Sequence, residues 1–288
     1  ESVDALLKSK SDSAREVALN GVSGILGKKI KNLKISNPAN NYVGFFGYIG
    51  SEGKVINVTI EGIVISITED KENLNSLSIL SVGSIAGINL GQITDSQVLS
   101  SSTTGVTMNS IVVSYAKPSF ATNIGGVVGY NFGKNALVSN STSQIQIIAK
   151  DNQTKTLNIG GVAGLVSSDA AIFGSNFKGD IDASANNLSS TSTLTIGGVV
   201  GSLQNSSISK STFSGSIKAE STISKIGGIA GIVEDDSVVY GSGANVAING
   251  GKFVGGIVGE LSLNGDIRPV KGILPMAIDL QASGIRSL

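Results

Sequence analysis

The chain has 288 residues, with 38 glycines, 5% aromatic residues and no Trp, and this composition favours many short strands joined by tight turns. It contains no Cys and no His, which excludes disulfides, thiol catalysis, cysteine metal sites and histidine catalysis in this chain. The 21 Lys and Arg residues balance the 21 Asp and Glu residues, so nothing recommends nucleic acid as a partner.

The chain divides into two distinct ends and a repetitive middle. Near the start, Ser2 precedes apolar residues at helical spacing, which predicts a short helix that covers the first coil. We therefore predict an N-terminal cap or opening coil over residues 1–28 and a repeat region over residues 29–261. Residues 262–288 contain Pro269 and Pro275 but no further repeat, which predicts a last coil or C-terminal cap.

One short glycine signature recurs seven times in the middle region. The copies are VGFFG (Val43–Gly47), VGSIAG (Val82–Gly87), IGGVVG (Ile124–Gly129), IGGVAG (Ile159–Gly164), IGGVVG (Ile196–Gly201), IGGIAG (Ile226–Gly231) and VGGIVG (Val254–Gly259). Their last glycines are 40, 42, 35, 37, 30 and 28 residues apart. Self-similarity at such a period is typical of a solenoid rather than of a globular enzyme.

The signature predicts a strand that ends in a corner. A second strand with alternating polarity follows, as in Val55–Ile60 and Ser207–Phe213, and then a third, as in Glu61–Thr68. Three strands and three corners predict a triangular coil, so the fold class is all-β, a parallel β-helix (β-solenoid) of seven to eight coils. A seven-bladed β-propeller has a similar period, but it normally carries a Trp-Asp signature and tolerates a shrinking period poorly.

Parallel β-helices also carry polysaccharide lyases and hydrolases, whose chemistry needs clustered carboxylates. The candidates here are Asp180 and Asp182, which by alternation with Ile181 point outward from one strand, and Glu234–Asp236 in a turn. Their oxygens suit Ca²⁺, but neither group has the density of a calcium loop. We interpret both as solvated surface and predict no catalytic, cofactor or metal site, although calcium binding by Asp180 and Asp182 stays open.

Aromatic side chains are a second candidate, because they provide platforms for sugar stacking. The candidates are Tyr42, Phe45, Phe46, Tyr48, Tyr130 and Phe132. Alternation requires some of them to lie in the core. Tyr48 and Tyr130 occupy equivalent positions after the last glycine of a signature, which predicts that they are exposed on a shared stripe.

Four stretches account for the variation in repeat length. They lie between a third strand and the next signature: Glu69–Ser78, Ser100–Ala121, Lys150–Leu157 and Ser184–Thr195. Insertions at one place in every coil project from one edge of a solenoid, and these are polar enough to be solvated contact loops.

The signatures resemble the GLUG repeats of bacterial surface and secreted proteins. The run Lys29–Ile35 resembles the lead-in of that family, and Val43–Gly47 followed by Val55–Ile60 resembles its first full repeat. Such repeats occur in large bacterial adhesins and exoproteins, and as non-catalytic extensions beside the catalytic domain of IgA-specific metallopeptidases. The resemblance covers residues 29–261 and implies a secreted or cell-surface location.

Three functions remain open from the sequence. The first is a non-enzymatic β-helix segment of an adhesin or exoprotein that attaches to a host-surface protein, a glycan or a neighbouring bacterial cell. The second is an accessory or stalk domain of a secreted metallopeptidase or polysaccharide-active enzyme. The third is a structural element that self-associates end to end. No apolar run approaches the roughly 18 residues that span a bilayer, so we expect no membrane insertion by this segment.

Overall fold

The computed structural model describes residues 29–37, 40–68, 79–101, 109–114, 120–186, 188–219 and 224–261. The predicted end regions, residues 1–28 and 262–288, lie outside the described residues, and so does the predicted loop Glu69–Ser78. Within the described ranges the secondary structure consists of strands, with no helix long and apolar enough to cross a bilayer.

The strands are short, because each coil changes direction several times. In chain order they are β1 (Ile30–Lys31), β2 (Lys34–Ser36), β3 (Tyr42–Val43), β4 (Phe46–Ile49), β5 (Lys54–Ile56), β6 (Thr59–Glu61), β7 (Val64–Ile67), β8 (Ile79–Gly83), β9 (Ala86–Asn89), β10 (Gln92–Thr94), β11 (Gln97–Leu99), β12 (Ser110–Val113), β13 (Ala121–Gly125), β14 (Val128–Phe132), β15 (Leu137–Ser139), β16 (Thr142–Ser143), β17 (Gln146–Ala149), β18 (Thr156–Gly160), β19 (Ala163–Ser167), β20 (Ala171–Phe173), β21 (Asn176–Lys178), β22 (Ile181–Ala183), β23 (Thr193–Gly197), β24 (Val200–Gln204), β25 (Ser207–Ser209), β26 (Thr212–Ala219), β27 (Ser224–Gly227), β28 (Ala230–Glu234), β29 (Val238–Tyr240), β30 (Gly243–Asn249), β31 (Phe253–Gly255) and β32 (Val258–Leu261).

The strands pair in parallel and in register with their equivalents in the next coil. Sheet I contains β3, β8, β13, β18, β23, β27 and β31; sheet II contains β4, β9, β14, β19, β24, β28 and β32; sheet III contains β5, β10, β15, β20, β25 and β29. Sheet IV has two stacks, β1-β6-β11-β16-β21 and β2-β7-β12-β17-β22, which meet at the long strand β26. Each five-strand coil therefore contributes one strand to each of sheets I, II and III and one to each stack of sheet IV, which confirms the parallel β-helix. Six intervals of roughly 4.8 Å make sheets I and II about 29 Å long.

The predicted three-strand coil is wrong in detail, because the first four full coils each have five strands. The extra breaks occur at single residues with a left-handed backbone, which bend the chain between sheets III and IV. These residues are Asn57, Asp95, Asn140, Gly174, Lys210 and Gly241, and their φ angles lie between 48° and 57°. Asn, Asp and Gly tolerate this conformation best, whereas Lys is unusual there.

Each signature spans a corner instead of ending at one. In the third copy, Ile124 and Gly125 end β13, Gly126 and Val127 make the corner, and Val128 begins β14. A Cβ atom added at Gly129 would lie only 2.8 Å from the carbonyl oxygen of Gly87 in the preceding coil. The glycines are therefore required because backbone packs directly against backbone.

Aliphatic ladders fill the interior of the coil. One ladder runs through sheet I, where every member up to the sixth copy has a relative exposure of 3% or less: Val43, Val82, Ile124, Ile159, Ile196 and Ile226. Phe177 and Phe213 stack beside it, with their ring centroids 5.5 Å apart. The side chains of one coil thus lie on the equivalent side chains of the next, which produces one continuous core.

Buried polar side chains also form ladders along the axis. After each left-handed residue from Asn140 onward comes a serine whose Oγ accepts a hydrogen bond from the backbone N–H of the equivalent serine in the preceding coil. The bonded series is Ser96, Ser141, Ser175, Ser211 and Ser242, with N–O distances of 3.1–3.2 Å. On sheet I, Asn158 Nδ2 donates to Asn123 Oδ1 at 2.8 Å and Thr195 Oγ1 donates to Asn158 Oδ1 at 2.6 Å. These bonds satisfy polar groups that burial would otherwise leave unpaired.

The connections from sheet IV to sheet I fall at one corner of every coil, as predicted for the loops. Residues 150–155 and 184–192 are connections of this kind. The predicted loop Ser100–Ala121 is wrong in part, because it contains β12, whose Ile111 and Val113 are fully buried. That strand pairs with β7 and β17, so it belongs to the coil.

Candidate functional site

The two outward carboxylates are held by neighbouring polar groups. Asp180 lies in the turn before β22, not on a strand with Asp182, and its Oδ1 accepts bonds from Ser216 Oγ at 2.6 Å and Ser216 N at 2.9 Å. Asp182 lies in β22 and accepts a bond from Ser184 Oγ at 2.6 Å, and it forms an ion pair with Lys150 Nζ at 3.2 Å. The predicted outward direction of both residues is confirmed, since Asp180 is exposed, Asp182 is half-buried and Ile181 is buried between them.

The surroundings of Asp182 favour its ionised form. Partial burial raises the pKa of this carboxyl, but the hydrogen bonds from Ser184 and the bond and charge of Lys150 together outweigh burial and leave the pKa below its ordinary value of 3.8. The carboxylate therefore links the turn after β22 to the end of β17. Asp182 therefore serves as a contact between neighbouring coils, through its ion pair with Lys150.

The second acidic group is only partly in a turn, because Glu234 ends β28 and Asp235 and Asp236 form the turn that follows. Glu234 accepts a bond from Gln204 Nε2 at 2.9 Å, which joins equivalent positions of two coils. Asp235 has a left-handed backbone with φ 56°. Across the described ranges, no three acidic side chains come close enough together to hold a metal ion.

The aromatic candidates separate into a core group and a surface group. Phe45 and Phe46 pack against the hydrophobic core, with their rings edge to face at 4.7 Å. Tyr48 has 54% of its surface exposed, and Phe132 has 38%. Tyr130 is half-buried rather than exposed, because its ring contacts Phe132 at 5.3 Å and its hydroxyl shares a hydrogen bond with Ser167 Oγ at 2.9 Å.

Tyr48 and Tyr130 occupy one register row of sheet II, as their equivalent positions in the sequence indicate. Tyr48 pairs with Ile88, Ile88 with Tyr130, and Tyr130 with Leu165. Ile88 is buried, with 7% of its surface exposed, whereas Tyr130 and Leu165 are half-buried and Tyr48 is exposed. We call these four residues the aromatic row. Burial raises the pKa of the Tyr130 phenol above its ordinary value of 10.0, and the bond with Ser167 lowers it by less.

The sequence did not single out a further aromatic group on sheet III. Phe173 is 40% exposed, and Lys210 Nζ lies 5.5 Å from the centre of its ring, close enough for a cation–π interaction. Tyr240 occupies the same register row and is 63% exposed. Their position in the sequence could have identified them, since Phe173 and Tyr240 each come directly before a residue with a left-handed backbone.

Two segments of the repeat region match a known family model. Residues 120–148 and 192–218 match a family model described as Glug, the GLUG motif. Two segments of this chain therefore match the GLUG motif. Each matched segment corresponds to one coil, since the first runs from β13 into β17 and the second from β23 into β26. One GLUG motif is therefore one turn of the β-helix in this protein.

Two curated relatives are similar to a short part of this chain. An immunoglobulin A1 protease of Streptococcus pneumoniae (strain ATCC BAA-255 / R6) is 44% identical over 62 residues, which is 22% of this chain and 3% of that protein. An immunoglobulin A1 protease of Streptococcus pneumoniae is 43% identical over 60 residues, which is 21% of this chain and 3% of that protein. The chain thus matches only a small fraction of these relatives. No solved structure matches it.

Proposed function

We propose that this chain is a rigid, non-catalytic segment of a secreted or cell-surface bacterial protein, and that it serves attachment to a host surface, a glycan or a neighbouring cell. The continuous ladder from Val43 to Ile226 carries the proposal, because its six side chains give the segment one unbroken core along its axis. A body built this way supplies length and stiffness and leaves its outer surface free for binding.

The carboxylates and glycines that the sequence singles out make contacts within and between coils. Asp180 and Asp182 accept bonds from serine and lysine side chains of the same or neighbouring coils. The signature glycines allow the backbones to approach each other. These assignments support a structural role for the residues that the sequence singled out.

The corner between sheets IV and I provides a surface for attachment. Asn152 Nδ2 donates to Asn186 Oδ1 at 2.9 Å, and Ser192 Oγ donates to the carbonyl oxygen of Thr154 at 2.8 Å. The connections 150–155 and 184–192 are therefore bonded to each other across two coils. Such neighbouring loops on a rigid scaffold suit the recognition of a partner.

Saturable binding of the purified chain to bacterial and host cells tests this proposal. We expect folded protein to bind and heat-unfolded protein not to bind. Replacement of residues 188–192 by a Gly-Ser linker should weaken binding at least tenfold, whereas the same replacement at Lys134–Asn135, in the turn before β15, should not. Equal binding by folded and unfolded protein, or none by either, would contradict an attachment function.

The similarity to immunoglobulin A1 proteases favours a second candidate, an accessory segment beside a secreted peptidase. Immunoglobulin A1 would then be the substrate of the parent protein, and this segment would position its catalytic part. Removal of residues 29–261 from the parent should lower the rate of immunoglobulin A1 cleavage. An unchanged rate, together with cell binding by the segment, would leave attachment as the function.

End-to-end association would involve the first and last coils of the β-helix, which are next in the chain to residues 1–28 and 262–288. Those residues lie outside the described part of the chain. End-to-end association stays a prediction, which concentration-dependent sedimentation of the whole chain would test. A sedimentation coefficient that stays constant with concentration would contradict it.

A further inference from the structure

Lys210 has a backbone conformation that is unusual for lysine. It lies at the corner between sheets III and IV with φ 50°, in the left-handed region, whereas this position holds Asn, Asp or Gly in the other coils. Contact between Cβ and the backbone disfavours most side chains in this region. A disfavoured conformation at an exposed corner is often associated with a functional side chain.

The Lys210 ammonium contacts an aromatic ring but no carboxylate. Its Nζ lies 5.5 Å from the centre of the Phe173 ring, within the range of a cation–π interaction. Lys150 and Lys225, by contrast, pair with carboxylates at 3.2 Å and 2.8 Å. Among the described residues no Asp or Glu forms an ion pair with Lys210, so its charge is available to an anionic ligand.

The corners on both sides of Lys210 carry no side chain. The equivalent residues in the preceding and following coils are Gly174 and Gly241. A Cβ atom added at Gly241 would lie 3.9 Å from Lys210 Cγ, so the stem of the lysine passes directly beside this glycine. A ligand can therefore approach the lysine from either neighbouring coil.

Two exposed aromatic rings flank the lysine. Phe173 and Tyr240 lie in one register row, on either side of Ser209, and the row faces outward because Ile208 beside it is fully buried. Phe173 is 40% exposed and Tyr240 is 63% exposed. Adjacent strands lie roughly 4.8 Å apart, so the backbones of the two aromatic residues are about 10 Å apart. The small side chain of Ser209 leaves space between their rings.

The outer face of sheet III presents no carboxylate. Its strands β5, β10, β15, β20, β25 and β29 contain no Asp or Glu. The outward residues of these strands are half-buried or exposed, apart from Ser139, so this composition describes an accessible surface. Asp235 and Asp236 precede β29 and lie at the end of that strand opposite Tyr240. No negative charge on these strands therefore opposes an anion at Lys210.

We propose that Phe173, Lys210 and Tyr240 form a binding site for an acidic polysaccharide. Lys210 Nζ pairs with the carboxylate of a uronic acid ring, and the two aromatic rings stack on sugar faces. The lysine favours an acidic ligand, and the exposed rings favour a ligand with flat apolar faces; a uronate chain combines both properties. This inference rests on the proposed attachment function and names its ligand class, at a surface separate from the corner between sheets IV and I.

Calorimetric titration of the full 288-residue chain with hexasaccharides of galacturonate, mannuronate and glucuronate tests the site. Two matched probes separate its parts: cellohexaose has sugar rings without carboxylates, and hexaglutamate has carboxylates without sugar rings. We expect at least one uronate hexasaccharide to bind at least tenfold more tightly than either probe, and added salt to weaken binding. Failure of all three uronates to bind, or equal binding of either probe, would overturn the proposal.

Lys210→Asn separates binding from folding, because the same corner carries Asn57 and Asn140 in other coils. Asn removes the charge and tolerates the left-handed backbone. This variant should therefore melt no lower than the wild type and yet bind the uronate at least tenfold more weakly. Lys210→Arg should retain binding, because it keeps the charge. Unchanged uronate affinity of Lys210→Asn would overturn the proposal, whatever the stability of the variant.

Variants of the rings and of a second lysine complete the test. Phe173→Ala and Tyr240→Ala should each weaken binding at least tenfold while melting stays cooperative. Lys252→Asn is the matched control, because Lys252 Nζ lies 5.3 Å from the centre of the Phe253 ring, in the last coil. It removes the same kind of contact from another place and should bind like the wild type. Equal weakening by Lys252→Asn would mean that overall charge determines binding, and would overturn the site.

Cell binding distinguishes this inference from the proposed function. If Lys210→Asn attaches to cells as well as the wild type and no uronate hexasaccharide binds either protein, the polysaccharide site is wrong and attachment by other surfaces stands. If the wild type binds a uronate hexasaccharide through Lys210 but binds no cell, the site is supported and the attachment function fails.

Discussion

The second glycine of the signature is the position at which substitution should most clearly separate folding from binding. A Cβ atom at Gly161 would collide with the ring of Phe177, at Cδ1 and Cγ, and with the carbonyl oxygen of Gly198 in the next coil. Gly161→Val requires Phe177 to leave its site, and loss of a buried Phe costs about 3–5 kcal/mol. The backbone collision persists after Phe177 moves, so about 4 kcal/mol is a reasonable minimum.

Melting followed by circular dichroism measures this effect. For a body of about 200 residues, 1 kcal/mol corresponds to about 2–4 °C, so Gly161→Val should lower the melting temperature by roughly 8–16 °C. Gly256→Val is the matched control, because Gly256 holds the same place in the last signature and no described atom lies within 4 Å of its added Cβ. It should change stability by less than about 0.5 kcal/mol.

A double substitution identifies the source of the clash. In a Phe177→Ala background, the further cost of Gly161→Val should be smaller by about 0.5–3 kcal/mol, the range seen for residues in direct contact. It should not vanish, since the carbonyl oxygen of Gly198 remains in the way. If Gly161→Val melts like the wild type, or if Gly256→Val is equally destabilised, the argument from backbone packing is refuted.

Three further substitutions test the polar contacts. Ser175→Ala should lower the free energy of unfolding by about 1–3 kcal/mol in urea titrations, because the buried N–H of Ser141 loses its acceptor; an unchanged midpoint would contradict this. The pKa of Asp182 is lowered, so its contribution to the free energy of unfolding is present above pH 3.8 and is lost as the pH falls through the lower pKa of the folded state. The difference in stability between the wild type and Asp182→Asn should therefore disappear in acid. A difference that widens in acid would contradict the ion pair with Lys150. The pKa of Tyr130 is raised, so its contribution to the free energy of unfolding is present below pH 10 and is lost as the pH rises through the pKa of the folded state. An absorbance titration should show one tyrosine that ionises at a higher pH than the others, and Tyr130→Phe should remove it.

The fold class could be predicted from the sequence because the signature glycines are a direct consequence of stacking. At the signature, the backbone of each coil packs against the backbone of the next, so a side chain is excluded there in every coil. The glycines therefore recur in the sequence at the period of the coil. The equivalence of Tyr48 and Tyr130 could be predicted for the same reason, since both follow the last glycine of a signature and parallel register keeps such positions in one row.

The number of strands per coil could not be predicted from alternation. In Val55–Ile60 the pattern indicates one strand, yet Val55, Val58 and Ile60 are buried while Ile56 is 40% exposed. The left-handed residue Asn57 changes which side of the chain faces inward, and a strict period of two does not survive that bend. The serines that follow such residues in later coils were the missed signal.

The half-burial of Tyr130 could not be predicted either, because it depends on a contact between side chains of different positions. Phe132 lies against its ring, and Ser167 bonds its hydroxyl from the next coil. Tyr48 has 54% exposure at the equivalent position. Equivalent positions in a repeat therefore place two side chains at the same point of the sheet, whereas the neighbouring side chains determine how much of each is exposed to solvent.

The shortening period has a physical explanation in the connections between sheets IV and I. The connection from β7 to β8 has 11 residues, whereas that from β30 to β31 has three. The strands of sheets I and II keep nearly constant lengths through the interior coils, because each must pair with both neighbours. Much of the variation therefore falls at a corner where an added residue disturbs no ladder, and the second coil also has ten residues between β11 and β12, within sheet IV. A coil under this constraint can change its contact surface from one repeat to the next while its core stays the same, which is the property that an attachment segment needs.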